Sequence, residues 1–192
     1  TESDVLVVPD NVTTIGLGAF STAYARKIVL GENVKVIESE GFAGSGVHIV
    51  EMPYVTTIES EAFRNCGSLE KVEFGNELKT IDYNAFENCE NLGGELTIPE
   101  SVTKIGDYAF CNTRIEKVTF LCTDITYGVS IFSRNDSLKE MYIYGGTLPS
   151  WRTSAPWSTE SLEKVYIGSN VKSLGYHAFS RCAKLQDVTI EP

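Results

Sequence analysis

Five cysteines, two histidines and a surplus of carboxylates are the residues of this chain that could do chemistry. Cys66, Cys89 and Cys182 each stand three residues after an aromatic, at positions held elsewhere by Ala23, Ser45, Thr113 and Asn135. That place asks for something small, and an unpaired cysteine behaves as a small buried hydrophobe. Cys111 and Cys122 lie off this place. A metal site needs ligands clustered at short spacing, such as C-x2-C, and no such cluster occurs, so no metal is expected. A disulfide between Cys66 and Cys89 stays open, although an odd number of cysteines does not read as a disulfide framework. His177 sits two residues before Phe179, at a place otherwise held by Glu40, Glu61, Asn84 and Tyr108, which reads as a solvated surface position. No Ser-His-Asp or Cys-His set and no phosphate-cradling glycine loop can be assembled with His48 or His177. Glu38, Glu59 and Asp82 recur at one place. A glycosidase sets two carboxylates across a cleft, whereas a recurring column forms an acidic ridge, with a weak cation site as its alternative use. No catalytic residue and no cofactor follow from these groups, and an enzyme is not expected.

The same groups are carried by a repeat. Val55-Thr56-Thr57-Ile58-Glu59-Ser60-Glu61-Ala62-Phe63, followed by Cys66, Leu69, Val72 and Phe74, is its clearest copy. The aromatic marker returns as Phe20, Phe42, Phe63, Phe86, Phe110, Phe132, Trp157 and Phe179, at intervals of 22, 21, 23, 24, 22, 25 and 22 residues. Self-similarity at such a period predicts a solenoid in which each unit buries its apolar face against its neighbours. The 192 residues therefore read as one domain of about eight repeats, truncated or uncapped at both ends, with exposed strand edges that invite end-to-end association.

Each repeat supplies a strand whose apolar residues stand two apart and so share one face. These pairs are Leu6/Val8, Ile28/Leu30, Val50/Met52, Val72/Phe74, Leu96/Ile98, Val118/Phe120, Met141/Ile143, Val165/Ile167 and Val188/Ile190. Nine parallel strands spaced at about 4.8 Å give an array roughly 40 Å long. Proline or glycine follows most strands (Pro9, Gly31, Pro53, Gly75, Pro99, Gly168) and turns the chain. A Val/Ile pair such as Val55 and Ile58 comes next. The Ala-Phe step then predicts one short helical turn on the back, with a small residue (Ala19, Gly41, Ala62, Ala85, Ala109, Ala178) where coils pack closely.

The residues between the paired strand positions point away from the core. They read Val7, Val29, Glu51, Glu73, Thr97, Thr119, Tyr142, Tyr166 and Thr189. In a solenoid this face is the extended concave surface used for binding. Tyr142 and Tyr166 should be adjacent, with Tyr144 one same-face step away, and Thr97 and Thr119 in line. Exposed tyrosines are frequent at binding hot spots, although aromatics also shield a sheet. Glu51 and Glu73 should repel, softened by Lys71 and Lys117. Two repeats depart from the pattern. In the sixth, Ile131 takes the alanine place and the Ile place is disturbed. In the seventh, Leu148, Trp151 and Trp157 fall near the Val, Ile and Phe places, which makes both tryptophans core candidates. The Gly- and Pro-containing segment 145–157 could instead be a functional loop.

Sixteen Lys and Arg against 26 Asp and Glu give a net charge of −10. Nucleic-acid backbones need clustered Lys and Arg, so nucleic acid is excluded as a partner, and anionic membranes are disfavoured. No stretch of about 20 apolar residues is present, so no membrane-inserting helix is expected. Thr1-Glu2-Ser3-Asp4 lacks the basic start and apolar run of a signal peptide, and a targeting segment is expected to lie outside this chain.

The block Leu96-Thr-Ile98-Pro99-Glu-Ser101-Val102-Thr-Lys-Ile105-Gly106-Asp-Tyr-Ala109-Phe110, with Ala-Phe-x-x-Cys at Phe63, Phe86 and Phe179, resembles the BspA-like leucine-rich repeat. The resemblance spans essentially the whole chain. It implies an α/β leucine-rich-repeat solenoid: a right-handed β-α superhelix with a parallel sheet on the concave face and short helical turns behind. It also implies a secreted or cell-surface bacterial protein, extracellular in location, acting as a non-enzymatic adhesion module. The expected partner is a protein or peptide, such as host extracellular matrix or another surface protein. A carbohydrate-binding module and a passive spacer are the alternatives. Tyr142, Tyr144, Tyr166, Thr97 and Thr119 are the candidate contact residues, with contact through a sheet edge left open.

Overall fold

The computed structural model describes residues 4–148 and 160–192. The strands predicted from the paired apolar residues are all present: β1 (Val5–Val7), β3 (Lys27–Val29), β5 (Ile49–Met52), β7 (Lys71–Phe74), β9 (Gly93–Ile98), β11 (Arg114–Phe120), β13 (Glu140–Leu148), β14 (Lys164–Leu174) and β15 (Asp187–Ile190). A second ladder of two-residue strands carries the Ile places: β2 (Thr14–Ile15), β4 (Val36–Ile37), β6 (Thr57–Ile58), β8 (Thr80–Ile81), β10 (Lys104–Ile105) and β12 (Thr126–Tyr127). All pairings are parallel, and like places face each other: Leu6, Ile28, Val50 and Val72 in one run, Leu96, Val118, Met141, Val165 and Val188 in another.

The long ladder is not the single run that nine regular strands predict. It divides between β7 and β9, leaving one sheet of four strands and one of five. The step across this break, from Val72 to Leu96, is 24 residues. Gly94 takes φ 69 there, and the register with β11 slips between Ile115 and Lys117. A bulge of this kind disrupts a ladder and raises the local twist. The short ladder runs unbroken from β2 to β12 and keeps both halves in one array.

The α/β expectation is wrong. Among the described residues there is no helix, and the fold is an all-β parallel-sheet solenoid. The error lies at the Ala-Phe step. An α-helix needs right-handed φ and ψ throughout, and it satisfies each inner N–H within itself. Here the residue two before the marker aromatic is left-handed in seven coils: Gly18, Glu40, Glu61, Asn84, Tyr108, Ser130 and His177, with φ between 53 and 65°. A second left-handed residue stands two after it, at Gly44, Asn65, Asn88, Asn112, Arg134 and Arg181. The N–H groups of the segment then alternate in direction. Those of Ala62, Arg64 and Cys66 close tight turns onto Glu59, Glu61 and Phe63, at 3.3, 3.0 and 3.2 Å. Those of Glu61, Phe63 and Asn65 donate to Tyr83, Ala85 and Glu87 of the next coil, at 2.9, 2.7 and 2.8 Å. Hydrogen bonds that a helix would keep to itself thus tie coil to coil.

The marker phenylalanines form the core. Phe20, Phe42, Phe63, Phe86, Phe110 and Phe132 stack in one file, with centroids 4.7, 4.7, 4.9, 5.1 and 5.6 Å apart and planes within 12°. Such separations fall in the range of favourable aromatic pairs. Phe74 and Phe120 meet the file edge-on at Phe86 and Phe132. In the sixth coil the disturbed Ile place is filled by buried Tyr127, opposite Ile105 and edge-on to Phe120 at 5.5 Å. Leu148 is buried and pairs with Leu174, so it holds the Ile place rather than the expected Val place. Trp151, Trp157 and the segment between them lie outside the described residues.

Asparagines at the second left-handed place add a side-chain ladder. Asn88 Nδ2 donates to Asn65 Oδ1 at 2.9 Å, and Asn112 Nδ2 donates to Asn88 Oδ1 at 3.0 Å. Asparagine tolerates the left-handed region better than most residues. Asn88→Ala, which loses both amide bonds and strains the backbone, should cost about 2 kcal/mol. Asn88→Gly relieves the backbone and should cost about 1 kcal/mol. Urea unfolding of the two variants separates these contributions.

Candidate binding surface

The potentially reactive groups are occupied by the architecture. The cysteines form no disulfide. Cys66 Sγ donates to the Phe42 carbonyl at 2.9 Å, and Cys89 Sγ donates to the Phe63 carbonyl at 3.1 Å, so each thiol ties its coil to the one before. Burial pushes the Cys89 thiol up and raises Cys122 to about 12, which holds both protonated and unreactive at neutral pH. Glu38 and Glu59 accept the N–H groups of Leu17 and Ser39 in the preceding coil, at 3.1 and 3.0 Å. Asp82 accepts from Tyr83 N and from Lys104 Nζ, both at 2.9 Å. The acidic column is thus a set of backbone and lysine acceptors. No group of three His, Cys, Asp or Glu side chains that could hold a metal ion occurs among the described residues. His177 is exposed, with its ring 3.8 Å from that of Tyr176. Its place is defined by a left-handed backbone, a demand that Gly18 and Asn84 at the same place already signal in the sequence.

The outward face of the five-stranded sheet gathers the candidate contact residues. Register sets Thr97, Thr119, Tyr142, Tyr166 and Thr189 side by side on β9, β11, β13, β14 and β15. The Tyr142 and Tyr166 rings are 5.9 Å apart and tilted by 32°. The Tyr144 and Tyr166 rings are 5.3 Å apart and tilted by 48°. Thr119 is the direct neighbour of Tyr142, whereas Thr97 is one strand further away and does not meet the rings. Tyr144 is 39 % exposed, and Tyr142 and Tyr166 are half-buried.

The three tyrosines differ in how far they are already engaged. Lys117 Nζ and Lys164 Nζ lie 5.3 and 5.9 Å from the Tyr142 ring centre, within cation–π range. The Tyr142 hydroxyl donates to Glu140 Oε2 at 2.8 Å, a bond that raises its pKa. Glu191, two residues beyond the Thr189 that faces Tyr166, pushes the Tyr166 hydroxyl up to about 12 through side-chain hydrogen bonding and is itself lowered.

A feature missed at the sequence level runs beside the tyrosines. The neighbouring outward column reads Glu95, Lys117, Glu140, Lys164 and Asp187, alternating in sign from strand to strand. Lys117 meets Glu95 at 3.4 Å and Lys164 meets Asp187 at 3.8 Å. Exposed pairs of this kind contribute only about 0–1 kcal/mol each, but they leave the column without a net cationic patch. Aligning the repeats on the residue two before each Tyr or Thr shows the alternation in the sequence. In the four-stranded sheet, Glu51 and Glu73 are register neighbours, as expected. Lys27 and Lys71 neutralise them, the latter at 2.5 Å. Lys117 belongs instead to Glu95 and Tyr142.

Relatives are found by repeat and by fold. A leucine-rich-repeat protein of T. pallidum (TpLRR) has 20 % identity and a TM-score of 0.68, over 95 % of this chain and 84 % of that one. The pneumococcal vaccine antigen PcpA has 20 % identity and a TM-score of 0.60, over 97 % of this chain. A leucine-rich-repeat protein from Bacteroides ovatus has 24 % identity and a TM-score of 0.49, over 93 % of this chain. The chain spans 62 % of the pneumococcal protein and 58 % of the Bacteroides protein. At these identities the TpLRR and PcpA likenesses show a shared fold. No curated protein matches the sequence. The BspA type leucine-rich repeat region matches in six copies, over residues 2–92 and 56–186, and together with the like-facing places of the two ladders this makes the chain a member of the BspA-type leucine-rich-repeat family.

Proposed function

We propose that this chain is a non-enzymatic protein-interaction module of a secreted or cell-surface bacterial protein. It holds a protein or peptide partner on the outward face of the five-stranded sheet, through Tyr142, Tyr144 and Tyr166, with Thr119 and Thr97 alongside. The observation that carries this reading is the meeting of three tyrosine rings on one open sheet face. Exposed aromatics give large contact area at low entropic cost and dominate many interfaces. Family membership supports a surface location. The thiols and carboxylates bonded into the stack support a non-enzymatic role.

The mutual tilt of the rings favours protein over sugar. A pyranose ring stacks on a broad flat platform, whereas these rings are tilted against one another by 32 and 48° and share no common plane. A passive spacer would leave the face without a ligand. Tyr144→Ala/Tyr166→Ala should leave the unfolding midpoint within a few degrees and weaken binding to an immobilised panel of extracellular-matrix proteins by at least about tenfold. Unchanged binding would remove the patch from the account. Glycan-array hits without any protein hit would favour the sugar reading. The β1 and β15 edges expose Val7 by 61 % and Ile190 by 59 %, so the panel is run on monomer fractions to separate partner binding from end-to-end association.

A further inference from the structure

We infer that the group received between Tyr144, Tyr166 and Glu191 is a cationic side chain, so that the partner presents an arginine- or lysine-bearing segment to this face. The inference rests on the protein-interaction reading above and names the chemistry of its partner.

The sheet face shows how it treats cations. Lys117 and Lys164 both set their ammonium groups against Tyr142, and Glu140 takes that ring's hydroxyl. Tyr166 faces Thr189 across the next strand pair, and Glu191 follows Thr189 by two residues on the same face, where the two side chains raise the Tyr166 hydroxyl and lower the Glu191 carboxyl. Among the described residues no lysine or arginine lies over Tyr144 or Tyr166; the cation contacts fall on Tyr142 and Tyr54. Tyr144 is the exposed ring of the cluster. Beside it Gly168 adds no side chain, and a Cβ there would come within 3.1 Å of the Tyr144 backbone.

The electrostatics select the sign of the guest. Aromatic faces carry negative potential and attract ammonium and guanidinium groups. Glu191 accepts from Ser169 N at 3.3 Å, and an ionised carboxylate has lone pairs for further donors. The lysines of the adjacent column are matched by Glu95, Glu140 and Asp187, so they do not screen the site. The chain as a whole carries a net charge of −10, which steers a basic segment towards it. An acidic guest would meet the ring faces and Glu191 with the wrong sign, and a purely apolar guest would leave Glu191 without a charged partner.

The test uses an arginine-rich Gly/Ser peptide and its citrulline counterpart, which keeps the shape and removes the charge. The arginine peptide should bind, and the citrulline peptide should bind about tenfold more weakly or less, equivalent to about 1.4 kcal/mol. Tyr144→Ala and Glu191→Gln should each weaken the arginine peptide several-fold. Glu32→Gln, at the far end of the array with the same change in net charge, should leave it unchanged. Equal binding of the two peptides would overturn the inference, as would a Glu32→Gln effect as large as that of Glu191→Gln. If Tyr144→Ala/Tyr166→Ala abolishes binding to the matrix panel while the peptides show no charge preference, this inference fails and the interaction reading stands. If the tyrosine substitutions change neither, both fail.

Discussion

Phe86→Ala should destabilise the protein by about 3–5 kcal/mol, a large part of the stability of a typical domain. Phe86 is met by rings on three sides. It stacks on Phe63 at 4.9 Å and 6°, stacks on Phe110 at 5.1 Å and 2°, and receives the edge of Phe74 at 5.9 Å. Truncation leaves a void between two rings held at a spacing set by the backbone ladders, so neighbours cannot close over it. In a solenoid each coil contacts only its neighbours, so the void weakens both interfaces of the fourth coil. Phe20→Ala is the comparison. Phe20 is half-buried and stacks on Phe42 alone within the file, and its loss should cost less than half as much. Urea unfolding followed by circular dichroism measures both. Similar costs for the two would show that the file does not act as a continuous stack.

Gly75→Ala should cost about 3 kcal/mol or more, at the upper end of overpacking effects. A Cβ on Gly75 would lie 1.7 Å from the Pro53 carbonyl oxygen, 2.3 Å from its carbon and 2.8 Å from its Cα. All three are backbone atoms of the neighbouring coil. Gly75 N also donates to the Met52 carbonyl at 3.2 Å, so relief by separation breaks a hydrogen bond between coils. Gly67→Ala is the control, since a Cβ there meets nothing within 4 Å, and it should change stability by no more than about 0.5 kcal/mol. The thermal midpoints of the two variants check the contrast.

These two cases mark what could be read before the structure was known. Phe86 announced itself, because the marker recurs at a nearly fixed interval and must stack. The same interval set the strand register, and it brought Tyr142 and Tyr166 together as adjacent residues. Gly75 read only as a strand breaker; its close approach to Pro53 is a property of the distance between coils. The back of each coil was misread for a related reason. Alanine followed by phenylalanine suits a helical turn locally. Bonds to the next coil decide the conformation instead, and they hold Glu61 and Tyr108 left-handed despite their side chains. The division of the long ladder between β7 and β9 and the placing of Tyr127 at an Ile position likewise depend on neighbouring coils. For the candidate surface, repetition placed the tyrosines together on one face, but it ranked Tyr142 level with Tyr144. Only the positions of Lys117, Lys164 and Glu140 show that Tyr142 is already engaged and that Tyr144 is the open ring.

The most direct test of the account is amide hydrogen exchange on the chain alone and with a protein captured from the matrix panel. Binding should slow exchange in β13 and β14 around Tyr142, Tyr144 and Tyr166 and leave the short ladder from β2 to β12 unchanged. Protection confined to the short ladder, or to the β1 and β15 edges, would contradict a partner held on the tyrosine face.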